Sequence, residues 1–337
     1  MKAVAYKTNG SNDATKSLQN ITVDMPQATG HDLLVKIYAV SVNPVDTKLR
    51  TRGVPEGNTT NVLGYDAAGV VEAVGDDVNN FKPGDAVYYA GSIQRPGTNS
   101  EYHLVDERIV GNKPKSLSYA EAAALPLTAV TAWEMLFDRL NINEPTPQGG
   151  DIILVIGGAG GVGSITIQLL RALTNFKIIA TASRPETKAW VTKCGAHYVI
   201  DHKEPLAPQL QSLSIGAPGF VFSTTQTDLH FDDIVALIAP QGRFGLIDDP
   251  KVLNALPLKL KSISLHWELM FTRTNFNTSD MAEQGKLLNE VAALVDSQRI
   301  CSTLTEVAGK INASTLQKVH DKMVSGTAQG KIVLEGF

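Results

Sequence analysis

The stretch Ile152–Ser164, IILVIGGAGGVGS, joins five aliphatic residues to a loop that holds five glycines. Gly158, Gly160 and Gly163 stand in the spacing G-x-G-x-x-G, with Ala159, Gly161 and Val162 between them. That spacing suits a pyrophosphate. One glycine permits a tight strand-to-helix turn, one lets the backbone approach the anion, and one lets helix and strand pack closely. A helix opening near Gly161 aims its unpaired N–H groups and the positive end of its dipole at the same anion. The motif is weak by itself. Here it follows a run fit for a buried strand and opens a run fit for a helix, the context it requires.

An acidic residue about 20 positions past the last glycine would accept hydrogen bonds from ribose hydroxyls and favour NAD. The chain instead reads Thr181-Ala182-Ser183-Arg184, with Lys188 one helical turn on. Arg184 offers a planar fork to a 2′-phosphate, Ser183 a hydroxyl donor and Lys188 a further positive charge. These residues point to NADPH. The plainer alternative is that both cations are solvated surface charges.

The elements that must position these residues follow from length and pattern. At 337 residues the chain exceeds what one core usually organises, which favours two domains. With 43% hydrophobic and 19% charged residues it reads as a soluble globular protein. A net charge of −4 offers no basic footprint for nucleic acid, and no apolar run suggests a membrane partner. Two cysteines, Cys194 and Cys301, are too few for a disulfide framework or metal cluster and fit a reducing compartment. MKAVAYKTNG reads as a first strand, not a signal core, so a cytoplasmic protein is expected.

Ala3–Tyr6, Leu33–Val42, Ala68–Val74 and Ala86–Tyr89 read as strands separated by turns, a β-barrel-like pattern. Ser118 followed three residues later by Glu121 has capping-box spacing, and a second helix is expected over Leu127–Leu140. From Asp151 onward, strands at Ile152–Ile156, Lys177–Ala182, Tyr198–Ile200, Phe220–Phe222, Gly242–Ile247 and Ile263–Trp267 alternate with helices. This predicts a doubly wound parallel sheet. After Asp280, Leu287, Leu288, Val291, Leu294 and Val295 form one helical stripe. A helix at Ser314–Met323 and a strand from Gly330 to Leu334 follow. The division expected is 1–125, 126–268 and 269–337, with the last part returning to the first domain.

Ser41-Val42-Asn43-Pro44-Val45-Asp46, Gly64-Tyr65-Asp66-Ala67-Ala68-Gly69, Lys82-Pro83-Gly84-Asp85, Leu125-Pro126-Leu127-Thr128-Ala129, the glycine loop and Gly330-Lys331-Ile332-Val333-Leu334 occur in that order. Carrying these, the whole chain resembles the medium-chain dehydrogenase/reductase superfamily, within it the quinone oxidoreductase-like members often labelled zinc-type alcohol dehydrogenase-like. The resemblance implies an α/β protein: a GroES-like β-barrel catalytic domain from both chain ends, an inserted Rossmann domain, a cleft between them, and a homodimer. It places Asn43, Asp46 and Tyr65 near nicotinamide and substrate, and Thr128 on the nicotinamide side. Thr224 follows the fourth Rossmann strand, and Phe244-Gly245-Leu246-Ile247 close over the cofactor. Tyr198 either edges the adenine or packs as a strand-core aromatic.

One departure decides the chemistry. Where zinc members carry a metal-binding Cys and His, this chain has Asn43 and Tyr65, and no four-cysteine run lies between Asp85 and Lys113. Zinc takes thiolate, imidazole or carboxylate, with three protein ligands in a catalytic site. No zinc is therefore expected. Without it the acceptor must be electrophilic already: a quinone, or the β-carbon of an α,β-unsaturated carbonyl. Tyr65 is either a donor to the developing oxyanion or a wall. Lys48 replaces a common aromatic and, with Arg50, raises the prospect of an acidic substrate group; the alternative is that Lys48 faces solvent. The rival readings are a zinc alcohol dehydrogenase with atypical ligands and a non-catalytic NADPH-binding protein. Arg184→Ala is predicted to weaken NADPH far more than NADH. Equal weakening in equilibrium titrations of the two would show that Arg184 reads no phosphate.

Overall fold

The computed structural model describes residues 1–7, 18–52 and 60–337. The chain forms two compact units, one of Met1–Val130 with Phe271–Phe337 and one of Thr131–Met270. These divisions stand a few residues from those expected at 125 and 268.

In the first unit, β1 (Lys2–Lys7) pairs antiparallel with β2 (Leu18–Thr22) and β4 (Thr60–Val62). The long β3 (Asp32–Ser41) pairs with β5 (Asp66–Val74) and β7 (Tyr102–Asp106), and β6 (Ala86–Ala90) bridges β5 to β8 (Val110–Asn112). Leu33, Val35 and Ile37, two residues apart on β3, share one core with Val71, Val87 and Val105 of its neighbours. α1 (Pro44–Arg52) starts at a proline, whose fixed φ and missing N–H suit a first helical turn. α2 (Tyr119–Ala123) carries the capping box expected from Ser118 and Glu121, with both reciprocal bonds present. α3 (Pro126–Trp133) is shorter than the helix expected to Leu140. Glu134–Arg139 continue as a wider π turn, in which the Leu140 N–H donates to the Met135 carbonyl five residues back. The turn seats Met135 so close to Gly245 that a Cβ there would come within 2.3 Å of the sulfur.

The second unit alternates β9 (Ile152–Ile156), α4 (Gly161–Leu173), β10 (Lys177–Thr181), α5 (Pro185–Cys194), β11 (Tyr198–Ile200), α6 (Leu206–Ser212), β12 (Phe220–Ser223), α7 (Thr227–Leu237), β13 (Arg243–Leu246) and β14 (Ser264–Trp267). All six strands are parallel, in the order β11-β10-β9-β12-β13-β14. Every residue of β9 is buried, as a central strand covered on both faces requires. The order reverses between β9 and β12. Ligands of such sheets bind beyond the strand ends at that switch point, where the glycine loop lies. α6 buries Leu206 and Leu210 of LAPQLQS in the core, with Ala207 packed partly buried beside them.

The remaining segment returns to the first unit through α8 (Thr272–Phe276), α9 (Glu283–Asp296), β15 (Leu304–Val307), α10 (Ala313–Val324) and β16 (Lys331–Glu335). β16 runs antiparallel to β3 and parallel to β15, completing the sheet. The expected stripe of α9 is buried, and Tyr88 donates to the Leu288 carbonyl at 2.6 Å. Among the described residues no helix is long and apolar enough to cross a membrane.

Candidate functional site

Two sets of side chains are the candidates for the chemistry, one in each unit. In the first, the end of β3, the start of α1, the head of β5, the N-terminus of α3 and the head of β16 meet in a buried polar network. Lys331 and Asp66 are its ion pair, 3.0 Å apart with side chains 3% and 0% exposed. The second Asp66 oxygen accepts the Leu127 N–H at 2.7 Å, so the carboxylate also faces the positive end of α3. Ser41 Oγ and Asn43 Nδ2 each donate to Asp66 at 2.7 Å. Lys331 donates back to the Asn43 side-chain oxygen and to the Val42 carbonyl. Such a pair is tolerable only because every charge-bearing atom has partners.

The Asn43 side chain is thereby committed on both its oxygen and its nitrogen, and the residue is buried. Its part is to orient its neighbours. Asp46 lies beside it, accepting the Asn43 N–H at 2.7 Å and the Gly64 N–H at 3.0 Å. Burial is the main cause that lifts the Asp46 carboxyl to about 7; the Asp66 charge adds to it, while the Asn43 and Gly64 N–H groups and Lys331 oppose it. The Gly64 bond holds the loop that carries Tyr65. Tyr65 is buried edge-on against Phe271, with ring centroids 5.4 Å apart. Burial first, then the Asp46 and Tyr6 charges, push its phenol well above the usual range, so it stays protonated. Its hydroxyl has no hydrogen-bond partner among the described residues. Thr128, buried on α3, donates to the Leu125 carbonyl at 3.0 Å.

Lys48 does not join this group. It lies exposed on α1, and Arg50 donates to Gln317 of α10 at 2.9 Å. Two residues apart on α1, Asp46 is buried in the network and Lys48 is exposed. Local sequence pattern gives Asp66 and Lys331 no role. The available signal was an acid at the head of the apolar strand Asp66–Val71 and a lysine at the head of Lys331–Leu334, since buried lysines and aspartates come in pairs.

In the second unit the glycine loop is pinned on both sides. The Gly157 N–H donates to Thr181 Oγ1 of β10 at 2.9 Å, and the Thr224 hydroxyl, past β12, donates to the Ile156 carbonyl at 2.8 Å. Gly157 makes the turn at φ +77°, which favours glycine. A Cβ on Gly158 would lie 2.9 Å from Ala180 Cβ, and one on Gly163 would lie 2.4 Å from the Gly157 carbonyl oxygen. Packing therefore accounts for those two glycines. Gly160 is different. A Cβ there would meet only the Gly157 oxygen, at 3.5 Å, so no protein atom demands a glycine. Room kept bare beside a helix N-terminus suits a ligand that must touch the backbone. The first intrahelical bond runs from the Ser164 N–H to the Gly160 carbonyl at 2.9 Å, leaving the Gly161, Val162 and Gly163 N–H groups ahead of it.

Arg184 caps α5 and lies 2.8 Å from Glu186, while Lys188 lies 3.0 Å from Asp201. Ser183, just past β10, is partly exposed beside them. Tyr198 is partly buried against the sheet core. Phe244 and Leu246 have no exposed surface and pack in that core, and Gly245 is filled by Met135. Their side chains face the sheet core. A central parallel strand is covered on both faces, so of this stretch only Ile247, past the strand end, is partly exposed.

Among the described residues no group of three or more His, Cys, Asp or Glu side chains converges as metal ligands. Residues 29–132 match the alcohol dehydrogenase GroES-like domain family, and residues 161–288 match the zinc-binding dehydrogenase family. The chain is 37% identical to a zinc-type alcohol dehydrogenase-like protein of Staphylococcus epidermidis, over 99% of each chain. It is 39% identical, over 60% of its length and 52% of the relative's, to a 2-methylene-furan-3-one reductase of Solanum lycopersicum. A crystal structure from Rhizobium etli CFN 42, named among the zinc-dependent alcohol dehydrogenases, superposes with a TM-score of 0.96 at 57% identity. That superposition covers 100% of this chain and 98% of the other.

Two predictions follow from the packing. Gly160→Ala is expected to keep stability within about 1 kcal/mol and to lose at least about tenfold in NADPH affinity, whereas Gly163→Ala costs about 1–3 kcal/mol by overpacking. Thermal melts with fluorescence titrations separate the two, and an unweakened Gly160→Ala would remove the anion site. Lys331→Met leaves Asp66 uncompensated and is expected to cost about 3–5 kcal/mol, against about 0.5 or less for Lys48→Ala, measured by denaturant unfolding.

Proposed function

We propose that this chain, which belongs to the medium-chain dehydrogenase/reductase superfamily of oxidoreductases, is a zinc-independent, NADPH-dependent reductase of quinones or α,β-unsaturated carbonyl compounds. The observation that carries this reading is the commitment of Asn43 to Asp66 and Lys331. At the place where a metal-binding cysteine would stand, an amide is bonded on both sides, and at the place for a histidine stands a buried, protonated phenol. Neither suits zinc.

With no Lewis acid, an unactivated alcohol has nothing to hold its developing alkoxide. An enone or quinone differs, because its own carbonyl takes up the charge. Bound NADPH supplies the hydride. The β-carbon gains it, the electron pair moves to the carbonyl oxygen, and one proton completes the saturated ketone; a quinone becomes a hydroquinone in the same way. The chain's part is to orient the acceptor, donate a hydrogen bond to that oxygen from Tyr65, and keep a proton at hand on Asp46. The tomato relative acts, by its name, on a ketone with an adjacent exocyclic methylene, an acceptor of this class. Zinc in the names of the Staphylococcus and Rhizobium relatives keeps a zinc alcohol dehydrogenase as the second reading.

The dinucleotide is assigned to the Gly160 loop, with its 2′-phosphate toward Ser183, Arg184 and Lys188. We propose a homodimer, since β14 is an edge strand with Trp267 half exposed and Leu256 and Leu260 more so. Nucleic acid and membrane are not proposed partners.

Steady NADPH oxidation is expected with quinones, enones or 2-alkenoic acids and not with aliphatic ketones. Tyr65→Phe is expected to slow it about tenfold or more with NADPH affinity kept. Binding without turnover across the panel would point to a non-catalytic NADPH-binding protein. The pH profile carries a sign. Asp46 is protonated below about 7, so turnover falls as pH rises through that value, and Asp46→Asn flattens the fall. The folded chain also binds this proton more tightly than the unfolded one, so stability drops between the ordinary value of 3.8 and about 7. A profile unchanged by Asp46→Asn would take the proton supply away from Asp46.

A further inference from the structure

The two cations assigned to the 2′-phosphate each already face a carboxylate of this chain. Arg184 Nε lies 2.8 Å from Glu186 Oε1, and Lys188 Nζ lies 3.0 Å from Asp201 Oδ2. The four side chains sum to zero charge where a phosphate reader would gain from a surplus. The two carboxylates also differ in freedom. Glu186 sits in the first turn of α5 with its side chain 60% exposed, free to swing into water. Asp201 is fixed. Its other oxygen accepts the Lys203 N–H at 3.0 Å, and its own N–H donates to Gln209 at 2.8 Å. The Lys203 and Lys188 donors hold the Asp201 carboxyl below its ordinary range in spite of burial, so it is ionised at neutral pH.

We propose that Glu186 and Asp201 are specificity-determining residues that restrain the preference for NADPH over NADH. The inference rests on the cofactor reading above and deepens it. In the free protein the carboxylates occupy Arg184 and Lys188, and an arriving 2′-phosphate must take their place. Such exposed ion pairs are weak, so they do not block the phosphate. They lower its advantage. The displaced Glu186 turns to solvent, while Asp201 stays beside the phosphate and repels it. NADH, with a hydroxyl at that position, meets neither cost. The protein thus accepts both cofactors with a ratio set by two carboxylates that touch neither nicotinamide nor acceptor.

Fluorescence titration of NADPH and NADH at low ionic strength tests this on wild type, Glu186→Gln, Asp201→Asn and Arg184→Ala. Asp201→Asn is expected to tighten NADPH about three- to tenfold, Glu186→Gln less, and both to leave NADH within about twofold. High salt should shrink the gains. NADPH affinity unmoved or lowered in both carboxylate variants, with Arg184→Ala still lowering the NADPH-to-NADH ratio, would overturn the restraint and leave the phosphate site standing. An unmoved ratio in Arg184→Ala would overturn the phosphate site and the restraint with it. Weakened NADH binding in the carboxylate variants would assign them to ribose hydroxyls and also overturn the proposal.

Discussion

A lysine ammonium and an aspartate carboxylate out of contact with solvent are costly to bury, and the first unit is organised around making that burial tolerable. Lys331 and Asp66 are brought together from positions 265 residues apart in sequence. Between them they engage Ser41, Val42, Asn43 and Leu127. One pair thus ties the end of β3, the entry to α1, the head of β5, the N-terminus of α3 and the head of β16. A buried ion pair is weak evidence of net stability, since apolar residues of the same shape can serve as well. It is a strong constraint on geometry, because each partner must stay within bonding distance or leave a charge bare. The positions of Asp46, Tyr65 and Thr128 follow from it.

The second unit meets a different constraint with neutral groups. Thr181 and Thr224 hold the glycine loop from the two neighbouring strands. Packing explains Gly158 and Gly163, and backbone conformation explains Gly157. Gly160 is left as the one member of the motif whose bareness nothing in the protein requires. The cation-bearing edge of the same sheet is balanced by carboxylates, Glu186 against Arg184 and Asp201 against Lys188; in the function proposed above, the loop would hold what both dinucleotides share and the α5 edge would weigh the 2′-phosphate.

Much of this was legible from local pattern. Five aliphatic residues at Ile152–Ile156 are a buried strand, the stripe from Leu287 to Val295 is a buried helical face, and Ser118 with Glu121 is a capping box. Each depends only on near neighbours and on a period of two or 3.6 residues. The polar network was not legible. A period states which face is buried but not which distant residue completes a charge, and Lys331 reads in sequence like any lysine at the mouth of a strand. The wide turn at Glu134–Arg139 places Met135 against Gly245, a residue about a hundred positions away that no local signal announces. Phe244 and Leu246 stand at the right strand but face its core, a distinction that turns on a parallel strand being covered twice. Lys48 lies two residues from the inward Asp46 and is on the other side of its helix.

The chemistry assigned to the chain depends on an amide and a phenol doing without a metal where zinc relatives use one. Elemental analysis of enzyme that is turning over an enone, purified with no zinc added, weighs that claim most directly. Zinc far below one atom per chain in fully active protein is the predicted result. One firmly held zinc per chain, with turnover lost on its removal and regained on its return, would contradict it.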